Sequence, residues 1–272
     1  MVKTRFIRSA ITLLLMSILL NSCDKLILYH PNEVRLDEEN KDLNKKNINR
    51  LQSESVKSSF RFVVMGDSKR FYDELEDFVG VMNRYNDVSF VLLNGDITDA
   101  GLNREYQLIG RKLRKLKMPF IGVIGNHDML ANGRLIFEQM FGPENFSFSY
   151  GDYKFICLNS NSSEQGNDGS IPDIPWLQQQ LAAISDEQRV FVFSHVPPFN
   201  PDFDPALSEV YATTLAKSGK ALYSIHGHQH RFSLAQPYGP PVYYLVVSSM
   251  NRRNFVMVNV NTDTTTIEQI FY

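Results

Sequence analysis

Five short polar segments contain the residues of this chain that could bind metal ions. In chain order they are Gly66-Asp67-Ser68-Lys69, Gly95-Asp96-Ile97-Thr98-Asp99, Gly125-Asn126-His127-Asp128, Ser194-His195 and Gly227-His228-Gln229-His230. We refer to them as the first to fifth polar segments. Carboxylate, amide and imidazole groups are ligands that divalent cations take from proteins. One such segment would carry little weight, but five in succession, each after a strand-like run, predict a metal centre.

The chemistry that such a centre suits is the hydrolysis of phosphoesters, which are anionic and have poor leaving groups. Two divalent cations about 3.5–4 Å apart can bind the phosphate oxygens, lower the pKa of a water molecule and clamp an in-line displacement. Asp96 is the natural carboxylate to bridge two such cations. His228 and His230 are two residues apart, so on an extended segment both imidazoles point the same way and one could serve each cation. The candidate ligands are Asp67, Asp96, Asn126, His195, His228 and His230.

Hydrophobic periodicity predicts the elements that must position these residues. Strand-forming runs end just before each polar segment, at residues 60–65, 88–93, 120–124, 190–193 and 222–225. Apolar residues at helical spacing predict helices at residues 72–85, 102–116, 176–184 and 207–216. This alternation predicts an α/β fold, in which ligands bind at the carboxyl ends of the strands. Further strands are predicted at residues 146–150, 154–158, 242–247, 255–260 and 264–271.

The order and spacing of the five polar segments resemble the calcineurin-like metallophosphoesterases. The signature of that family runs Asp-x-His, Gly-Asp-x-x-Asp, Gly-Asn-His-Asp/Glu, His and Gly-His-x-His, and the match covers about residues 60–235. The resemblance implies a four-layer α/β/β/α sandwich with a dinuclear metal site. It assigns to the first metal Asp67, Asp96 and His230. It assigns to the second metal Asp96, Asn126, His195 and His228.

The same resemblance implies roles for residues beside the metals. His127 would face the substrate, where it would stabilise the transition state or protonate the leaving oxygen. Asp99 or Asp128 would orient His127, as carboxylates behind a metal site do for imidazoles. Arg252 follows a strand and could pair with a phosphate group, although a solvated turn is the simpler interpretation. His226 is interpreted as a residue behind the ligands or in the core, not as a ligand.

Lys69 is the departure of this chain from the family pattern. The family has a His there that would ligate the first metal, and a protonated Lys cannot do so. The first metal could keep its other ligands and add water. Alternatively, the ammonium could occupy the first position and leave one catalytic metal, or Lys69 could turn outward or bind substrate phosphate. We favour the first interpretation, because open sites can fill with water.

Composition indicates one large folded domain. The chain has 272 residues, of which 43% are hydrophobic, and this is enough for one sizeable α/β core. The formal net charge of −2 gives no basic field that would attract nucleic acid. We therefore predict a single catalytic domain at residues 60–272.

The residues before this domain resemble a bacterial lipoprotein leader. Residues 1–22 combine basic side chains with an apolar run that is too short to span a bilayer, which predicts a signal peptide. Leu20-Asn21-Ser22-Cys23 resembles a lipobox, which implies lipidation of Cys23 and stable anchoring in a membrane. Residues 23–59 are polar and charged, and we predict a tether there with one short helix around residues 43–51.

These features predict a lipoprotein of the bacterial cell envelope that hydrolyses phosphate monoesters or diesters through a metal-activated hydroxide. Its cofactors would be two divalent ions from among Mn, Fe and Zn. Its partners would be a small phosphoester substrate and a membrane reached through the lipid anchor. The alternative is a non-catalytic or mononuclear binder of phosphate ligands, because of Lys69. Substrate specificity would come from loops such as residues 159–175, which carry no motif.

Overall fold

The computed structural model of the chain contains two β-sheets that face each other. It describes residues 30, 33–55, 59–185, 187–262 and 264–272. The strands are β1 (Phe60–Met65), β2 (Val88–Asn94), β3 (Phe120–Val123), β4 (Phe146–Tyr150), β5 (Tyr153–Cys157), β6 (Arg189–Phe193), β7 (Ala221–His226), β8 (Ser233–Ala235), β9 (Tyr243–Val246), β10 (Asn254–Val260) and β11 (Thr265–Phe271). The first sheet has the order β11-β10-β1-β2-β3, and the second has the order β4-β5-β6-β7-β9-β8. Neighbours among β1, β2 and β3 are parallel, as are neighbours in the run β5, β6, β7 and β9.

The α-helices of the described residues are, in chain order, α1 (Leu43–Ser53), α2 (Tyr72–Met82), α3 (Asn103–Leu113), α4 (Gly133–Met140), α5 (Ile174–Ala182) and α6 (Pro205–Ser218). All of them except α1 cover the outer faces of the sheets. Apolar residues of α2, α3 and α4 pack against the outward-facing side chains of the first sheet. Those of α5 and α6 pack in the same way against the second sheet. The layers follow the order α/β/β/α, so the predicted four-layer sandwich is confirmed.

Aromatic residues fill the space between the two sheets. The ring centroids of Phe62 in β1 and Phe90 in β2 lie 5.5 and 5.3 Å from that of Phe155 in β5, and both pairs are edge to face. All three side chains are fully buried. Such pairs add about 0.5–1.5 kcal/mol each to the stabilisation that comes from burial. This packing holds the two sheets against each other and so fixes the relative positions of their strand ends.

The strands that precede the five polar segments are confirmed to within one residue at each end by β1, β2, β3, β6 and β7. The predicted hairpin is also present, and β4 and β5 are joined at Gly151, whose φ of 58° lies in the left-handed region. Periodicity does not predict α4 or β8. They have eight and three residues, which is too short for a repeat to be detected in the sequence.

The helix predicted around residues 43–51 is present as α1 and is part of the folded domain, which corrects the predicted tether over the described residues 34–55. Leu43 and Leu51 of α1 are buried in the core, at 4% and 0% exposure. The compact unit begins at Val34, not at residue 60. The segment looks like a tether in the sequence because several of its buried side chains are amides, which a hydrophobicity pattern counts as polar.

Asn44 of α1 shows how such an amide can be buried. Its Nδ2 donates to the carbonyl oxygen of Gly122 in β3 at 2.9 Å, and its Oδ1 accepts from the Gly122 N–H at 2.7 Å. Because β3 is the last strand of the first sheet, the amide pairs backbone groups that an edge strand leaves open. Helix α1 therefore closes one edge of the sandwich.

Replacing Asn44 by Ala is expected to lower the free energy of unfolding by about 2 kcal/mol, because two buried backbone groups lose their partner. The matched control is Asn49→Ala, which removes the same amide from the exposed face of α1 and should change stability by less than about 0.5 kcal/mol. Urea unfolding of both variants measures the difference. Equal losses in the two variants would contradict the role of α1 as an edge cover.

The amino-terminal predictions concern residues beyond the described ranges. The signal peptide at residues 1–22 and the lipidation site at Cys23 both lie outside the described residues. Within the ranges that are described, no helix has the length and apolar character needed to cross a membrane. The leader and the lipid anchor therefore stay predictions from the sequence.

Candidate metal centre

All six predicted ligands meet at the carboxyl-terminal edges of the two sheets. Three follow strands of the first sheet, namely Asp67 after β1, Asp96 after β2 and Asn126 after β3. The other three follow strands of the second sheet, namely His195 after β6, and His228 and His230 after β7. The two halves are in direct contact, since the His228 N–H donates to Oδ2 of Asp67 at 3.2 Å across 161 positions of the sequence.

The first group of ligands, which we call position 1, consists of Asp67, Asp96 and His230. Each offers one ligand atom, and these three atoms lie within 4.8 Å of one another. Oδ1 of Asp67 is 3.0 Å from Nε2 of His230. Both carboxylates are fully buried, and buried anions need positive charge close to them.

The second group, which we call position 2, consists of Asp96, Asn126, His195 and His228. The His195 Nδ1–H donates to the carbonyl oxygen of Asn94 at 2.8 Å, which turns Nε2 toward Oδ1 of Asp96 at 3.2 Å. In the described structure this buried Nε2 has no hydrogen-bond partner of good geometry. Nδ1 of His228 lies 3.2 Å from Oδ1 of Asn126. These donors lie as two close pairs, Asp96 with His195 and Asn126 with His228, and they are of the kinds that a divalent cation takes from proteins.

The electrostatics of position 2 favour positive charge. Burial opposes protonation of His195, but the carboxylates of Asp96 and Asp67 outweigh it and raise the pKa of the imidazole to about 9. Burial would raise the pKa of Asp96, but His195 and Lys69 hold it well below its usual range. A cation bound at position 2 would therefore replace the proton on His195.

Asp202 supports His228, a contact that no sequence pattern indicates. Its Oδ2 accepts from Nε2 of His228 at 2.9 Å, so the other ring nitrogen is the one that faces Asn126. Burial, and then the neighbouring His195, lowers the pKa of His228, which favours the neutral ring that a metal requires. Asp202 lies in a loop without a metal motif, and only the fold brings it to the site.

Replacing Asp202 by Asn is expected to weaken divalent-cation binding about 10- to 100-fold, because His228 loses the anion that orients its ring. The affinity is measured by titrating Mn²⁺ into metal-free protein. Asp168→Asn is the matched control, since Asp168 is an exposed loop carboxylate whose contacts are with Ser170. Equal affinities in the two variants would show that Asp202 does not position His228.

His127 stands beside the metal centre and is partly exposed, at 33% of its side chain. Its backbone N–H donates to Oδ1 of Asp96 at 3.0 Å. Its Nδ1 is 2.6 Å from the carbonyl oxygen of Asp99, and because a carbonyl only accepts, Nδ1 carries the hydrogen. Nε2 of His127 is therefore the nitrogen left for a substrate, and Asp99 orients the ring chiefly through its backbone.

Asp128 holds the polar segments together and does not orient the His127 ring. Of the two residues predicted to orient His127, the structure favours Asp99, and the prediction for Asp128 is corrected, because its carboxylate binds backbone N–H groups instead. The Asp128 carboxylate is fully buried. At distances of 2.7 to 3.1 Å it accepts from the backbone N–H groups of Ile97, Thr98 and Gly125. These bonds tie the second polar segment to the third.

Lys69 places its ammonium inside position 1. Its Nζ lies 2.7 Å from Oδ2 of Asp96, 3.3 Å from Nε2 of His230 and 3.9 Å from Oδ1 of Asp67. The side chain is 10% exposed, so it does not turn outward. Nζ thus occupies the space among the ligand atoms of position 1, although Oδ1 of Asp67 and Oδ2 of Asp96 have no hydrogen-bond partner in the described structure. A cation at position 1 would have to displace the ammonium, which disfavours our interpretation that a first metal is retained with extra water.

Backbone strain is concentrated in the polar segments. Nine non-glycine residues of the described chain have a positive φ, and five of them belong to the site: Asp67, Lys69, Asp96, His228 and His230. Such conformations cost on the order of 1 kcal/mol or more each and persist only where the surrounding structure holds them. The strained turns bring side chains that follow different strands into one site.

Two other residues singled out from the sequence lie near the centre without entering it. The Arg252 side chain is exposed, and its Nε donates to the carbonyl oxygen of His230 at 3.0 Å. His226 is fully buried between the hydroxyl oxygens of Ser194 and Ser224, at 3.1 and 2.8 Å. Burial lowers the pKa of His226 to about 3, so the ring is neutral. His226 is thus a hydrogen-bonded core residue, which is one of the two interpretations that the sequence allowed.

The long loop at residues 159–175 begins as a fixed part of the site wall. Residues 159–162 are buried, and Nδ2 of Asn161 donates to the carbonyl oxygen of Ile124 at 3.2 Å, just before the third polar segment. Further along, the Ser163 N–H donates to the carbonyl oxygen of Asp202 at 3.4 Å. The largely exposed stretch at residues 163–170 therefore borders the His228 side of the centre.

Two facing sheets with helices outside and metal donors at their shared edge define a metallophosphoesterase architecture. The chain matches the calcineurin-like phosphoesterases over residues 60–232, and it belongs to that family. A solved dimetal phosphatase from Danio rerio has the same fold, with a TM-score of 0.64 at 15% identity over 77% of this chain and 95% of that chain. Family membership supports divalent cations at this centre.

Curated relatives include phosphodiesterases. The chain is 31% identical over 160 residues to a glycerophosphodiester phosphodiesterase of Enterobacter lignolyticus, covering 54% of this chain and 57% of the relative. It is 25% identical over 127 residues to a 3',5'-cyclic-nucleotide phosphodiesterase of Nostoc, covering 45% of this chain and 48% of the relative. The matches thus span about half the length of these relatives.

Proposed function

We propose that this chain hydrolyses phosphodiesters with the help of a divalent cation. The observation that carries the proposal is the meeting of six metal donors from both sheets, with a partly exposed His127 beside them. Family membership supports the same reaction. Imidazole, carboxylate and amide donors together suit Mn²⁺, Fe²⁺ or Zn²⁺.

Different residues of the chain would bind the cation, transfer a proton and supply positive charge in such a reaction. Asp96, Asn126, His195 and His228 would hold the divalent cation, which would supply Lewis-acid chemistry by polarising the phosphate ester and making water nucleophilic at neutral pH. The Nδ1–H of His127 is donated to Asp99, which leaves Nε2 facing the substrate, and in the imidazolium form of the ring Nε2 would carry the proton that passes to the departing oxygen. The Lys69 ammonium adds a fixed positive charge next to Asp96, where a phosphate oxygen can approach.

Diesters are the substrate class that the relatives favour. The two curated relatives act, by name, on glycerophosphodiesters and on 3',5'-cyclic nucleotides. These substrates share a phosphate with two ester bonds and differ in the groups attached. The bordering loop at residues 163–170 is where this chain would distinguish such groups.

The test is an assay of purified chain loaded in turn with Mn²⁺, Fe²⁺ and Zn²⁺. The substrates are bis-p-nitrophenyl phosphate, p-nitrophenyl phosphate, a glycerophosphodiester and a 3',5'-cyclic nucleotide. We expect the diesters to be hydrolysed faster than the monoester, and chelation to abolish the reaction. Faster hydrolysis of the monoester would overturn the diester assignment alone. No hydrolysis above an Asp96→Asn background with any ion would favour the alternative, a non-catalytic binder of phosphate ligands.

We also propose that the protein is a membrane-anchored lipoprotein of the bacterial cell envelope. The support is the basic and apolar leader followed by Leu20-Asn21-Ser22-Cys23. In bacteria fed a clickable fatty acid, the full-length protein should carry the label and sediment with membranes. Cys23→Ser should lose the label. An unlabelled wild-type protein would refute the anchor without bearing on the catalytic proposal.

A further inference from the structure

We infer that the Lys69 ammonium takes the place of one cation, so that this chain holds a single divalent ion, at position 2. The family fold accommodates two metals in the dimetal phosphatase from Danio rerio, whereas position 1 of this chain is filled by a side chain of its own. The number of bound metal ions does not depend on which phosphoester is the substrate, so the two proposals can fail independently.

The backbone directs Lys69 into position 1. Its φ of 35° is an uncommon conformation for a residue with a side chain. The Lys69 N–H donates to the carbonyl oxygen of Asp96 at 3.0 Å, and the neighbouring Ser68 Oγ donates to the carbonyl oxygen of Ile97 at 3.2 Å. The first polar segment is thus fixed to the second, and the short distance between them leaves the Lys69 side chain pointing at the two carboxylates.

Charge balance explains why an ammonium is stable there. Asp67 and Asp96 are both fully buried, and their negative charges need a positive partner. The Lys69 Nζ supplies it, at 2.7 Å from Asp96 and 3.9 Å from Asp67. A divalent cation at position 1 would have to displace this ammonium, which would break a buried ion pair and bring two positive centres together.

Position 2 keeps its donors when Lys69 fills position 1. Asp96 uses its two oxygens separately, with Oδ2 facing the Lys69 ammonium at 2.7 Å and Oδ1 facing Nε2 of His195 at 3.2 Å. The carboxylate therefore bridges an ammonium and a metal position, in the way that it would bridge two metals. The amide of Asn126 and the ring of His228 complete position 2 without contacting Lys69.

The ammonium also keeps a hydrogen available for substrate. Nζ has three N–H groups, and its one contact of hydrogen-bond geometry in the described structure is with Nε2 of His230, while its 2.7 Å contact with Asp96 is an ion pair. The side chain is 10% exposed, so the ammonium keeps donor capacity at the edge of the site for a phosphate oxygen. Lys69 would thus supply, as a permanent part of the chain, the positive charge that a second cation supplies elsewhere.

The experiment counts metal ions on the full-length protein. The chain is stripped with a chelator, reloaded with excess Mn²⁺ and desalted, and the ions per chain are measured by inductively coupled plasma mass spectrometry. Electron paramagnetic resonance then distinguishes an isolated Mn²⁺ from an exchange-coupled pair. We expect one uncoupled ion in the wild-type chain. Two ions, or none, would overturn the inference.

Three variants test whether Lys69 is the cause. Lys69→Arg keeps the charge and should still bind one ion. Lys69→His removes the charge and adds a ligand, and it should bind two ions with a coupled spectrum. Lys69→Gln removes the charge alone and should bind a second ion at higher Mn²⁺, which keeps the test decisive if the His variant does not fold. One ion in both neutral variants would overturn the inference.

Discussion

Replacing Asp96 by Asn is expected to lower kcat/KM for a phosphodiester by on the order of 10³-fold or more. Asp96 is fully buried and faces both Lys69 at 2.7 Å and His195 at 3.2 Å. A neutral amide cannot balance these two positive partners, so the affinity of position 2 for its cation should fall as well. Steady-state kinetics with bis-p-nitrophenyl phosphate, together with a Mn²⁺ titration, measures both effects.

The matched control for this change is Asp87→Asn. Asp87 precedes β2, whereas Asp96 follows it, so both substitutions are made at the ends of one strand. Asp87 is exposed and pairs with Arg61 at 2.7 Å, a surface ion pair worth about 1 kcal/mol or less. We expect this variant to keep the kinetics of the wild-type protein. An Asp96→Asn protein that is folded, by circular dichroism, and fully active would remove Asp96 from the centre.

Replacing Gly125 by Ala is expected to destabilise the fold by about 3 kcal/mol and to disable the metal centre. A Cβ at this position would overlap the backbone nitrogen and Oδ1 of Asp96, and it would lie 2.8 Å from the Asp96 Cα. Most of these atoms belong to backbone, so the overlap can be relieved only if the second and third polar segments move apart. Urea unfolding and Mn²⁺ titration measure the two losses.

Gly80→Ala is the control, because it makes the same substitution where space is open. Gly80 lies on the exposed side of α2, and a Cβ there would have no atom within 4 Å. Alanine is the better helix former, so this variant should gain about 0.5–1 kcal/mol. If Gly125→Ala were as stable as Gly80→Ala and bound Mn²⁺ normally, neither stability nor metal binding would depend on the close approach of the second and third polar segments.

The amino-acid sequence determines the strands that lead to the centre and the residues at their ends. The runs before Asp67, Asp96 and Asn126 contain β-branched and aromatic residues over several positions, which makes their conformation predictable. Each polar segment follows its strand directly, so the placement of the ligands at one edge follows from the α/β topology. For His226 the sequence left two interpretations, a residue behind the ligands or one in the core, and the structure places it in the core.

The other features of the site depend on contacts between distant parts of the chain. Local periodicity does not predict which residues a side chain contacts in the folded protein. Asp202 and His228 are 26 residues apart and meet only when their loops pack together. The sequence of helix α1 is mostly polar, yet Asn44 is buried. Its amide binds backbone groups of Gly122 in β3, 78 positions further along the chain. Asp128 follows His127 in sequence but turns away from its ring toward backbone N–H groups.

Lys69 shows most clearly which features the sequence determines and which depend on the tertiary structure. The sequence by itself determined a family, a fold, six donors and one departure from the family pattern. It left open whether that departure weakens a metal position, fills it or points away, since a lysine side chain has several rotatable bonds. The tertiary structure decided this by setting the first polar segment against the second, which places Nζ between two buried carboxylates. The physical reason is charge balance, because the two buried carboxylates require positive charge close to them and the Lys69 ammonium supplies it from the first polar segment.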